Sequence, residues 1–192
     1  MKKFVLSFLL LLLPASVSAH PGFHGHGFIS GLAHPFLGAD HISMMIGVGA
    51  LAIFIGGRAL WQLPLGFIFT MLVGASLASF GFALGFVEVM IAASVLTMGL
   101  MLLFANKLEP IIKLVTAVVM IFAIFHGYAH AAEMQASSSA SQYFVGFIIS
   151  TFILHVIGVL SGKFLIKCKL DKLAFNLVGS VMAMFGSMLL VF

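Results

Sequence analysis

Apolar residues run along this chain in long blocks. They neither alternate at every second position nor recur as a single helical stripe. Six such blocks can be marked, at about Phe28–Ile55, Leu63–Phe86, Val87–Ala105, Ile111–Ala132, Tyr143–Ser161 and Leu173–Phe192. Roughly 20 consecutive apolar residues are needed to cross a bilayer as a helix, whereas barrel strands alternate and run about ten residues. The pattern therefore predicts an all-α membrane protein with six transmembrane helices. Blocks two and three nearly touch, so a tight turn is expected between Gly85 and Glu88. No connection is long enough for an aqueous domain, and Ser137-Ser138-Ser139 reads as a polar loop.

The start of the chain is of a different kind. Lys2 and Lys3 precede the run Phe4–Leu13, followed by Pro14 and Val17-Ser18-Ala19. A basic start, a short apolar run and a small-x-Ala ending make a secretory signal peptide. Residues 1–19 are thus expected to be cleaved, leaving 20–192 as a six-helix domain that opens on His20-Pro21-Gly22-Phe23-His24-Gly25-His26. The remaining cations are Arg58, Lys107, Lys113, Lys163, Lys167, Lys169 and Lys172. All follow block one, join blocks three and four, or follow block five. Cytoplasmic loops are the ones enriched in Lys and Arg, so both mature termini are expected on the outer side of the membrane.

Composition supports this picture and closes other routes. Of 192 residues, 62% are hydrophobic and only 7% charged, against about 25% charged in soluble domains. Disorder is excluded by the same figures. The formal charge of +4 is too scattered for a nucleic-acid-binding face. With Cys168 as the single cysteine, neither an intramolecular disulfide nor a thiolate-rich metal site can form. The residues Met44, Met45, Met98 and Met101 read as gap-fillers between helices.

Two polar clusters interrupt the apolar blocks. The first is His34-Pro35-Phe36-Leu37-Gly38-Ala39-Asp40-His41, and the second is His126-Gly127-Tyr128-Ala129-His130-Ala131-Ala132-Glu133. Imidazoles and carboxylates are costly in hydrocarbon, so they face partners or a cavity and usually serve a function. Together they supply His, Asp and Glu, a ligand set suited to a divalent transition metal. In a regular helix His34 and His41 would share a face, about 10.5 Å apart along the axis. Pro35, flanked by Gly31 and Gly38, can kink or open that helix. The i, i+4 spacing of His126 and His130, with Glu133 beyond, places three candidate ligands on one face. Depth along the helices suggests stages. His20, His24 and His26 would gather the ion. His34, His126, His130 and Glu133 would form an outer site, and Asp40 and His41, with His155 of block five, an inner one. Small residues at four-residue spacing, Gly81 with Gly85 and Gly158 with Gly162, would let helices approach closely. The shared Gly-x-Ala-His of Gly31–His34 and Gly127–His130, in blocks of opposite direction, suggests a 3+3 inverted repeat. Two other chemistries fit the same side chains. One is an intramembrane zinc hydrolase with Asp40 or Glu133 as base and Ser43 nearby. The other is a haem-binding electron carrier using paired histidines.

The motif His34-x5-Asp40-His41, preceded by His20-Pro21-Gly22, resembles the HupE/UreJ family. So does Phe125-His126-Gly127-Tyr128-Ala129-His130 followed by Glu133. The likeness covers most of the chain and implies a bacterial inner-membrane permease for Ni2+ or Co2+, not an enzyme, linked to hydrogenase, urease or cobalamin metal supply. It implies that His34, Asp40, His41, His126, His130 and Glu133 are needed for uptake. No permanently bound cofactor is expected. The expected partners are the lipid bilayer, the transported ion and cytoplasmic metal chaperones. One departure is Ala131, where the family usually has Gly.

Overall fold

The computed structural model describes residues 27–134 and 139–191. Residues 1–19, expected to be a signal peptide, and the histidines His20, His24 and His26 lie outside the described residues. Those residues are helical, with no strand among them. The helices are α1 (Gly27–Ala33), α2 (Ala39–Ile55), α3 (Ala59–Ser79), α4 (Val87–Leu103), α5 (Ile112–Ala132), α6 (Ala140–Lys167) and α7 (Asp171–Val191). By length and composition α3, α5, α6 and α7 can each cross a membrane, and α1 with α2 makes a fifth candidate if the pair is one span. At 17 residues, α4 is about 25 Å long, short of a hydrocarbon core of about 30 Å. The helices are apolar all round. Buried Phe67, Met71 and Phe147 face inward, while Phe69, Leu114, Leu160 and Met184 are exposed. Such a large apolar exterior suits lipid rather than water. The methionines Met44, Met45, Met98 and Met101 are buried in the core.

Three boundaries differ from the sequence pattern, each for a local reason. Block one is not one helix. Its chain bends by 79° between α1 and α2 through a 3-10 turn at His34–Phe36. Pro35 opens that turn without an N–H to give, and Gly38 in an extended conformation (φ −102°, ψ 121°) restarts the helix at Ala39. Block two forms a helix that starts at Ala59 and stops at Ser79, short of the end of its apolar run, because Gly81 (φ +79°) and Phe86 (φ 60°) take left-handed conformations that helices do not use. Block five runs on to Lys167. Lys163 and Lys167 can sit on the helix because long cationic side chains reach back to water.

Close packing comes from glycines at helix crossings. A Cβ on Gly31 would fall 1.9 Å from the Tyr143 carbonyl oxygen, and one on Gly146 would fall 2.2 Å from that of Phe28. These positions lock α1 against α6. In the same way Gly127 of α5 meets Met71 at 1.8 Å, and Gly74 of α3 meets Ile124 at 1.9 Å. The two sets correspond residue by residue: Gly31 with Gly127, Phe28 with Ile124, Tyr143 with Met71, Gly146 with Gly74. Each correspondence runs at a constant offset along its helix. The contact of α4 with α7 maps onto itself. Gly99 meets the Gly179 carbonyl and the Ala183 nitrogen, and Gly179 meets the Gly99 carbonyl and the Leu103 nitrogen. Of the two glycine pairs expected to seat helices, Gly158 and Gly162 do so against Ile46 and Ile53 of α2. Gly81 and Gly85 do not. They lie in the connection after α3, with nothing within 4 Å of an added Cβ.

Candidate metal centre

The break in block one brings its histidines to α5 instead of stacking them along one helix. His34 sits in the 3-10 turn. Its Nε2 lies 3.0 Å from Glu133 Oε2, just past the end of α5. His34, His130 and Glu133 each offer one ligand atom, all within 4.8 Å of one another. An ion with bonds of about 2.1 Å needs donors no more than about 4.2 Å apart, so a small inward movement would close this trio on a metal.

One turn deeper, Asp40 and His41 occupy the start of α2. Asp40 Oδ1 accepts from both the backbone N–H and the Nδ1–H of His41, each at 2.8 Å. A carboxylate held this way fixes the ring and raises its strength as a ligand, and in the neutral ring it leaves Nε2 as the lone-pair nitrogen. That Nε2 is buried, with no hydrogen-bond partner among the described residues.

The rings form a ladder. Centroids lie 4.7 Å apart for His34 and His130, 4.2 Å for His130 and His41, and 4.9 Å for His41 and His126. All three contacts are edge-to-face. Exposure falls along the way, from 34% for the Glu133 side chain to 16% for His34 and to none for His126. The site is thus open at the Glu133 end and sealed at the other. Phe147 packs on His130 at 4.1 Å, and Tyr143 stands edge-on to His34 at 5.9 Å. Phe67 lies between the last imidazole and His155, with centroids 5.9 Å from His126 and 5.2 Å from His155.

This geometry regroups the residues expected from sequence depth. His126 belongs with His41, not with the outer trio of His34, His130 and Glu133. The reason is the i, i+4 spacing on α5, which puts His126 a full turn below His130, level with the start of α2. His155 does not join Asp40 and His41. It stands beyond Phe67, beside a cavity of about 180 Å³ lined by Trp61, Pro64, Leu65 and Phe152. Both its ring nitrogens are buried without hydrogen-bond partners among the described residues. Ser43 is committed to its own helix, its hydroxyl donating to the Ala39 carbonyl at 2.5 Å.

Several residues at the site carried no sequence signal. Ser94 of α4 is fully buried and lies 2.9 Å from His126 Nε2. One serine in an apolar helix has no spacing to mark it. Phe67 and Phe147 are two of 21 phenylalanines. Tyr143 was the one readable clue, being one of two tyrosines at the start of a block. Its hydroxyl is buried without a hydrogen-bond partner among the described residues.

Comparison with known proteins accords with these motifs. The family model described as HupE / UreJ protein matches residues 8–189. Protein HupE of Rhizobium leguminosarum bv. viciae is similar, with 38% identity over 181 residues, 94% of this chain and 93% of that one. No solved structure matches. With the family model and a relative both spanning nearly its whole length, the chain belongs to the HupE/UreJ family.

Proposed function

We propose that this chain is a permease that carries Ni2+ or Co2+ across the bacterial inner membrane. The observation that carries the reading is the imidazole ladder of His34, His130, His41 and His126, with ring spacings of 4.2 to 4.9 Å. An ion entering at Glu133 would exchange water for the outer trio of His34, His130 and Glu133. It would then pass to an inner group of His41 and His126, with His130 shared between the two. Sites in series that each bind partially allow both selection and release. Two carboxylates serve the ladder, Glu133 directly and Asp40 through His41, and their two negative charges match those of a divalent cation. Borderline imidazole and hard carboxylate donors together suit nickel or cobalt.

The helix directions support six crossings with α1 and α2 as one span. Contacts of Ile46 with Gly158 and of Ile53 with Gly162 run parallel, while Gly99 with Ala183 and Leu96 with Gly186 run antiparallel. Alternating crossings require both relations. The corresponding glycine contacts support a 3+3 inverted repeat in which His34 and His130 are mates, so the outer trio lies where the halves meet. Transporters commonly place their site there. The charge pattern supports termini on the outer side, and cytoplasmic chaperones would take up the released ion. A membrane potential, negative inside, favours entry of a divalent cation by about 4.6 kcal/mol per 100 mV.

The haem alternative fits poorly, because imidazoles packed 4.2 Å apart leave no space for a macrocycle between them. The hydrolase alternative gains nothing from Ser43, whose hydroxyl is bound to backbone. The test is uptake into liposomes carrying the purified protein and an entrapped metal indicator, with Ni2+, Co2+, Zn2+ and Cu+ in competition. Nickel or cobalt should enter, and His41→Ala or His130→Ala should cut the rate at least tenfold. Wild-type rates in both variants would sink the reading.

A further inference from the structure

Ser94 and His126 are joined by a hydrogen bond whose direction can be assigned. Ser94 Oγ lies 2.6 Å from the Ile91 carbonyl oxygen, which can only accept, so the single hydroxyl proton points there. The same Oγ lies 2.9 Å from His126 Nε2. With its proton committed, Ser94 can only accept, so Nε2 carries the hydrogen. A neutral imidazole has one N–H, so Nδ1 of His126 holds the lone pair. Nδ1 is buried, without a hydrogen-bond partner among the described residues. A buried acceptor left unmatched costs stability unless something else uses it. The ring stands edge-to-face to His41, whose own open nitrogen is Nε2.

We propose that Ser94 is a positioning residue that makes Nδ1 of His126 the metal-binding atom of the inner group. His41 binds through the opposite nitrogen, Nε2, because Asp40 holds its Nδ1–H. The two neighbouring imidazoles are thereby set in opposite tautomers by two different helices, α4 for His126 and α2 for His41. Ser94 does not touch the ion; it acts through the ring. This rests on the permease reading only for the identity of the ligand, since the tautomer itself is a property of the metal-free chain.

The test uses the full-length protein in nanodiscs, labelled with 15N-histidine. In the metal-free wild type, the His126 resonances should report hydrogen on Nε2. Ser94→Ala should shift the ring toward a mixture of tautomers and weaken Co2+ binding ten- to a hundredfold, as loss of a group that orients a ligand does. Ser94→Thr, which keeps the hydroxyl, should restore both. In a His126→Ala background, Ser94→Ala should weaken Co2+ binding no further, which a purely structural role for Ser94 would not predict. An unchanged tautomer in Ser94→Ala, or an equal loss in the His126→Ala background, overturns the proposal. A wild type with hydrogen on Nε2 that binds no Co2+ overturns the permease reading and with it the ligand role of Nδ1, while the action of Ser94 on the ring stands.

Discussion

Two negative charges and four imidazoles set what the site can hold, and each charge can be removed alone. Asp40→Asn keeps the shape and an acceptor for His41 Nδ1–H but deletes one charge beside a buried ring. Co2+ affinity should fall about ten- to a hundredfold with little change in thermal unfolding, since the group acts on a ligand rather than on the core. Glycine positions work in the opposite sense. A Cβ on Gly127 would sit 1.8 Å from the Met71 carbonyl oxygen, and backbone cannot swing aside as a side chain can. Gly127→Ala should therefore force α3 from α5 and cost about 1–3 kcal/mol, the usual range for overpacking, read as earlier unfolding in a denaturant titration in detergent. The histidines and carboxylates of the cluster were legible from sequence, because polar groups stand out in an apolar block. Their orienting partner Ser94 was not, because a serine in such a block is unremarkable until the facing ring is placed.

At the scale of elements, the short link between α1 and α2 sets the spacing of the ladder. Gly38 has an extended backbone that any residue could adopt, so its demand is for space alone. An added Cβ would fall 2.6 Å from Asp40 Oδ1 and 2.7 Å from His41 Nδ1. Gly38→Ala should thus disturb the Asp40–His41 pair while leaving the helices folded: metal affinity drops, and the circular dichroism spectrum stays as in wild type. Pro35 and its flanking glycines announced a break in the sequence. The 79° bend was not readable, because it depends on how Gly31 docks against Tyr143 on a helix more than a hundred residues away. Helix ends followed a similar rule. Those of α5 and α7 agreed with the apolar pattern to within two residues. The end of α3 did not, since Phe80, Phe82 and Phe86 are apolar but lie in a turn set by backbone angles.

For the molecule as a whole, topology is testable with a single native thiol. Cys168 caps α6 beside Lys167 and Lys169, on the face that the charge pattern would put in the cytoplasm. A membrane-impermeant maleimide should label it only after the cells are opened. In a Cys168→Ser background, Ser141→Cys at the other end of α6 should label in intact cells, and the reverse pattern would invert the orientation. The all-helical, apolar build of the chain was legible because hydrocarbon imposes length and composition directly. The grouping of the histidines was not, because it depends on which helices cross and at what level. Phe67 has a consequence on this scale. A file of imidazoles can relay protons as readily as it can pass a metal, and such a leak would dissipate the voltage that draws cations inward. The benzene ring between His126 and His155 neither gives nor takes a hydrogen bond, so it interrupts any Grotthuss chain at the sealed end. Replacing it with a hydrogen-bonding side chain of similar size, as in Phe67→His, should turn the protein into a proton conductor, seen as acidification of dye-loaded liposomes under an applied potassium diffusion potential.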